Sequence, residues 1–468
     1  MNRDTGKYNE EQEINESVKR YEDMLRIGAK RYFDVIQIEQ IAERFIEEGK
    51  VYPALQAVEM GMEQHPSSID LKVRLVNILF NLGEIPQALN MANELIKIER
   101  TNPELYLIKG SSHLLLGNKK EATKAFEKAI KYTIEEKDEI FFNIGYSYQQ
   151  NSAFNEAIKY FEQAAQANPK NEAALYELAY CYEKTEQNEA CYYYYNKYID
   201  LDTFSDAAWF NMGIVLTKLQ RFEESVNAYE YALVINEDFA NAWYNLGHSH
   251  MLTREYQKAI DSFNKFLEYE PKNDDVFCLI GDSYLRLNQK TTASDYFEKA
   301  VALNELNDRA WFGLALLKQI NKQYYDALNF YKKAIKIDDI NGECWFMMAK
   351  IATKLDYYTD AIEAYEKACQ LEPDFSAYWL SYAQYLSKKG MLIKAIDVLK
   401  NGQQYHTDYD LFDYRITAYA LESNNETLAK EHFKLAISKD SDNIIYLLKT
   451  YPEAENIEWI NIKNNNLN

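Results

Sequence analysis

The protein has 468 residues and an apolar content of 47%, enough to bury a sizeable core, but only 15 glycines and 8 prolines. That scarcity argues against a β-sandwich, a propeller or a linker-rich multidomain protein. A formal charge of −21, from 52 Lys+Arg against 73 Asp+Glu, sets the chain against nucleic acid and anionic lipid as partners and favours a basic protein surface. Residues 1–14 are polar and acidic where a signal peptide would be apolar, and we expect them to be disordered. Residues 15–34 place Val18, Tyr21, Leu25 and Phe33 at helical spacing and predict an N-terminal capping helix.

From residue 35 onwards the chain repeats itself. Trp209, Trp243, Trp311, Trp345 and Trp379 are separated by multiples of 34 residues. Repetition at that period marks helix–turn–helix units that bury their apolar faces by stacking. Twelve units start at Val35, Ile69, Pro103, Asp138, Glu172, Asp206, Ala240, Asp274, Asp308, Gly342, Ser376 and Asp410, with one extra residue near Lys137. Position 8 of the unit is small, as in Gly110, Gly145, Ala179, Gly213, Gly247 and Gly281. So is position 20, as in Ala54, Ala88, Ala122, Ala157, Ala259 and Ala293. Small residues allow two helices to cross closely, and large residues at positions 4, 7, 11 and 24 fill the spaces between. Pro66, Pro169, Pro271 and Pro373 all fall at position 32, where each ends the second helix of its unit. The outer units depart from the pattern, with Lys72, Val76 and Asp413 in place of the usual residues. Repeat five does too, with Cys191 and Tyr198 at positions 20 and 27 inside CYYYYNKY, and this predicts a bend or a self-association surface around 188–204. Residues 444–451 predict a closing cap helix, and the tail beyond Pro452 carries Trp459, either strapped over the last repeat or free to bind a partner.

These offsets, and the run AWYNLG at 242–247, closely resemble the tetratricopeptide repeat over residues 35–443. The resemblance implies an all-α fold: a right-handed superhelical solenoid of twelve helix–turn–helix repeats with helical caps. The domain reading is therefore 1–34 (start and cap), 35–443 (repeat array) and 444–468 (cap and tail). It also implies a non-enzymatic scaffold or adaptor that holds a peptide or helical segment in a concave groove lined by the first helix, A, of each pair. Position 5 on that helix reads Phe142, Tyr176, Phe210, Tyr244, Cys278, Phe312, Phe346 and Leu380, an aromatic lane suited to apolar side chains. Position 6 adds Asn143, Asn211 and Asn245, whose carboxamides pair with peptide backbone in members of the family. The basic clamp of the chaperone-adaptor members has no counterpart here beyond the diffuse Lys350, Lys354 and Lys388.

Catalysis is not expected. There is no phosphate loop or GxSxG, and His248 and His250, two residues apart on a helix, do not share a face. We expect no cofactor and no metal. With five cysteines, no CxxC, and no apolar run of membrane-spanning length, we expect a cytoplasmic protein with reduced thiols that binds protein or peptide but neither nucleic acid nor membrane. Alternatives are a non-catalytic subunit of a larger enzyme or assembly, homo-dimeric through repeat five or an end repeat, or a peptide-sensing regulatory receptor. The composition suits an AT-rich, bacterial genome.

Overall fold

A computed structural model describes residues 2–28, 30–407 and 409–460, and side chains from residue 13 onwards within those ranges. The described residues form helices and turns, with no strand among them. They fall into two compact units, Met1–Ala242 and Trp243–Asn468.

In the first unit an opening helix, Asn2–Ile27, is followed by helix pairs from Val35–Glu47 and Val51–Gln64 to Asp206–Lys218 and Phe222–Ile235. The opening helix runs through residues 2–14, for which the sequence suggested no structure. Its Tyr21 is 1% exposed, with the rings of Phe33 and Phe45 each 6.0 Å away, so it closes the apolar end of repeat one. In the second unit the pairs run from Ala240–Leu252 and Tyr256–Tyr269 to Asp410–Glu422 and Glu426–Lys439, followed by Ile445–Thr450. Trp459 lies against the last pair: its ring is 5.5 Å from that of Phe433, and its indole N–H donates to Glu426 Oε1 at 3.2 Å. Ile460 beside it is buried, so the tail straps the final repeat.

Four devices recur along the array of pairs. An Asn or Ser at position 34 (Ser68, Asn102, Asn171, Ser205, Asn273, Asn307, Asn341) accepts a backbone N–H of the first turn of the following helix A. The turn from helix A to helix B has position 15 in the left-handed region in every repeat. The residues there are Gly49, Gly83, Gly117, Ser152, Glu186, Gln220, Arg254, Asn288, Lys322, Asp356, Gly390 and Asn424, with φ between 57° and 80°. A position-8 glycine lies under the position-24 ring of its own pair: a Cβ on Gly213 would sit 2.5 Å from Tyr229, and one on Gly247 2.5 Å from Phe263. Lastly, the position-4 indoles of Trp209, Trp311, Trp345 and Trp379 donate at 2.9 Å to the position-32 carbonyls of Thr203, Glu305, Asp339 and Pro373 in the preceding repeat.

Polar staples reinforce the junctions. Asp138 accepts from Asn168 and Asn171, and Asp274 from Asn304 and Asn307, which overcomes the burial that alone would raise the Asp274 carboxyl and holds both below the usual range. Where position 1 is Gly342, Glu372 fills the vacated space and accepts its backbone N–H at 3.2 Å. The extra residue of repeat three is absorbed in the loop before Lys137, where Glu136 takes φ 54°.

Repeat twelve departs from apolar packing. Asp413, fully buried at position 4, accepts from Gln403 (2.8 Å), His432 (2.7 Å) and Lys439 (2.8 Å). Burial opposes ionisation there, but these three bonds hold the carboxyl below its ordinary range.

Candidate functional site

The sequence assigns the groove to positions 5 and 6 of helix A, and the structure shows how firmly each of these side chains is held. The position-5 rings are half-buried because each leans on the position-24 ring of its own helix B. Phe142 lies 5.6 Å from Phe161, Tyr176 5.8 Å from Tyr195 and Phe210 5.8 Å from Tyr229 in the first unit. In the second unit Tyr244 lies 6.2 Å from Phe263, Phe312 5.8 Å from Tyr331 and Phe346 6.2 Å from Tyr365. Each ring is therefore a rigid ledge with one side packed and part of its surface open, rather than a freely offered side chain. Cys278, the one small residue of the eight, is buried and donates to Asn307.

The asparagines differ among themselves. Asn143 is exposed and Asn245 half-buried. Asn211 donates to the Tyr176 hydroxyl at 3.0 Å, which joins two of the selected residues across adjacent repeats. Burial raises the Tyr176 phenol, and the nearby Glu177 adds to it against the lowering effect of Asn211.

Positions 9, 12 and 13 complete the surface in the first unit, and the sequence reading did not single out their residues. Tyr146, Gln149 and Gln150 of helix Lys137–Gln150, with Ser152 of the turn beyond it and Phe154 at the start of the next helix, face Tyr176, Glu177 and Tyr180 of helix Glu172–Lys184. Together they line a cleft of about 430 Å³. Gln149 Nε2 donates to Glu177 across it.

In the second unit Tyr244 also contacts His248 (4.7 Å) and Phe266 (5.3 Å). Burial, aided by Arg309, lowers the His248 imidazole and keeps it neutral at pH 7. Arg309 donates through both Nε (3.1 Å) and Nη2 (2.5 Å) to Asp282, whose carboxyl burial nonetheless raises. Phe346 stacks on Tyr378 at 4.4 Å and carries the Lys350 ammonium 5.3 Å from its ring. Lys354 donates to the Tyr324 hydroxyl at 3.3 Å, so the basic spot is largely occupied within the molecule.

In repeat five the tyrosine run is divided between core and surface. Cys191, Tyr195 and Ile199 point into the core, while Tyr192, Tyr194 and Tyr198 are half-buried and Tyr193 is exposed. Tyr194 stacks on Tyr182 at 5.5 Å, and cations cover two further rings, Arg221 over Tyr192 at 4.3 Å and Lys197 over Tyr193 at 4.6 Å. All five cysteines are free and buried, and burial raises each thiol to about 12. Among the described residues no group of His, Cys, Asp and Glu is arranged to hold a metal ion, and no helix is long and apolar enough to cross a membrane.

Comparison with known proteins bears on the repeats directly. Tetratricopeptide-repeat profiles match residues 103–133, 213–253 and 240–273. A profile of the anaphase-promoting complex (cyclosome) subunit 3 matches 150–232 and 289–368. A curated relative, the general transcriptional corepressor ssn6 of Schizosaccharomyces pombe, is 26% identical over 138 residues, 29% of this chain and 12% of that protein. The chain thus spans about an eighth of that relative's length. Similar solved structures include MamA (25% identity, 37% of this chain and 94% of that one, TM-score 0.36). PilF of Pseudomonas aeruginosa is another (19%, 46% and 97%, TM-score 0.39). A third is YrrB, described as a TPR protein with an unusual peptide-binding site (23%, 39% and 95%, TM-score 0.32). With a 34-residue period, tandem helix pairs and these profile matches, the chain is a tetratricopeptide-repeat protein.

Proposed function

We propose that the protein is a non-catalytic scaffold whose helix-A face holds an extended or helical segment of a partner protein. The observation that supports this reading is the half-exposed ring at position 5, each braced by its own helix B: Phe142, Tyr176 and Phe210 in one unit, Tyr244, Phe312 and Phe346 in the other. Rigid aromatic ledges lose little conformational entropy on binding, which is what an anchor surface needs. Asn143, Asn211 and Asn245 add carboxamides for peptide backbone, and the charge of −21 favours a basic partner. Five buried free thiols fit a reducing compartment, and we assign the protein to the cytoplasm.

The test is capture of partners from native cells with the full-length protein and a variant carrying Asn143→Arg, Tyr176→Ala and Asn245→Arg, with helicity checked by circular dichroism. Loss of a partner from a folded variant supports the reading. Retention of every partner overturns it and moves attention to helix B or the tail. A second reading, a non-catalytic subunit of a larger assembly, draws support from the similarity at 150–232 and 289–368 to a subunit of one. Co-purification of a catalytic protein in fixed stoichiometry would support it. Self-association at repeat five is a third element of the proposal, resting on the exposed Tyr193, and a scattering mass equal to one chain would remove it.

A further inference from the structure

The cleft between repeats four and five carries a feature that packing does not explain. Gln149 is 9% exposed, and its Nε2 is committed to Glu177. Its Oε1 is buried with no hydrogen-bond partner. Unpaired buried acceptors are rare, and the residue that carries this one is among those that line the open cleft. Four of the other lining residues are aromatic: Tyr146, Phe154, Tyr176 and Tyr180. The one charged residue among the lining groups is Glu177. Tyr146 is 44% exposed and can turn ring surface towards an entering group. At the rim the chain already sets an ammonium on such a ring, Lys184 Nζ lying 5.0 Å from the Tyr180 centroid.

We propose that this cleft receives a basic side chain, a lysine ammonium or arginine guanidinium, projecting from the bound partner segment. The proposal rests on the reading of the helix-A face as the partner surface. A cation donor answers each feature of the cleft together. Its N–H groups pair with Glu177 and with Gln149 Oε1, and its charge lies among ring faces that attract cations. A carboxylate or phosphate would meet Glu177 in a protein of charge −21. A neutral amide would satisfy Gln149 but leave the Glu177 charge uncompensated.

The experiment uses full-length protein and saturation-transfer NMR titration with four probes: the N-acetyl, N-methylamide derivatives of arginine, lysine, glutamine and glutamate. One or both cationic probes should bind saturably, and the other two should not; the stronger cation identifies the side chain. Glu177→Gln, which keeps a hydrogen-bond acceptor for Gln149, should weaken the cationic probe by about tenfold. Tyr146→Ala should weaken it too, and Glu189→Gln, an exposed change on helix B of repeat five, should leave it unchanged. Equal binding of the glutamine probe, full binding to Glu177→Gln, or no cation binding at all would each overturn the assignment. Partner capture separates this outcome from the scaffold reading: partners lost from the helix-A variant without cation binding defeat only the pocket, whereas partners retained defeat the scaffold reading itself.

Discussion

At the residue scale the left-handed turn position is the most economical handle on stability. Eight of the position-15 residues carry a Cβ, among them Arg254 at φ 63° and Lys322 at φ 60°. A non-glycine residue there bears steric strain that glycine does not. Arg254→Gly and Lys322→Gly should each stabilise their turn by up to about 1 kcal/mol, read as slower amide exchange in the flanking helices. The opposite substitution belongs at position 8. Gly213→Val would drive its side chain into the Tyr229 ring and should cost about 1–3 kcal/mol, measured by denaturant titration. The two positions differ in how visible they are in a single sequence. Position 8 is recognisable because close helix crossing demands small side chains. Position 15 is hidden, because the turn's geometry forces φ upon Glu186, Gln220 and Lys322 as readily as upon Gly83.

At the scale of the element, the last helix pair trades apolar packing for an ionic centre. The Asp413 carboxyl is held below its ordinary value, so its contribution is complete above that value and is lost as pH falls through the depressed one. Repeat twelve should therefore loosen once pH falls below the ordinary carboxylate range, ahead of repeats that lack such a centre, seen as acid-induced exchange in Asp410–Glu422 and Glu426–Lys439. Asp413→Asn should destabilise the same pair by about 3 kcal/mol, because it leaves His432 and Lys439 with a poorer acceptor. The sequence marked Asp413 only as a departure from the repeat. Its partners are separated along the chain and become neighbours only when the two helices fold back on each other and dock on the helix that ends at Gln403. The candidate surface was legible to a similar depth. The position-5 rings follow from the repeat register, but their bracing by position 24, the Asn211–Tyr176 bond and the Gln149–Glu177 link depend on how consecutive pairs dock.

For the whole molecule, stability is a sum of neighbouring contacts within each unit, so it is graded along the chain. Amide exchange should be slowest in interior helices such as Pro103–Leu115 and Asp308–Ile320, and fastest in the opening helix and in Ile445–Thr450. The thiols give a chemical version of the same measurement. With every cysteine buried and its pKa near 12, a disulfide reagent at pH 8 should find almost none in the native protein and all five after denaturation. The order in which they appear across increasing urea would report which repeats open first.

The indole-to-carbonyl bonds make that opening visible to light. Trp209, Trp311, Trp345 and Trp379 each belong to one repeat and are fastened to the backbone of the one before. Separating any of those neighbours frees an indole N–H to water and shifts its emission. Variants that keep a single one of these tryptophans would thus carry an intrinsic gauge at a known seam, able to show which junctions yield when a partner binds.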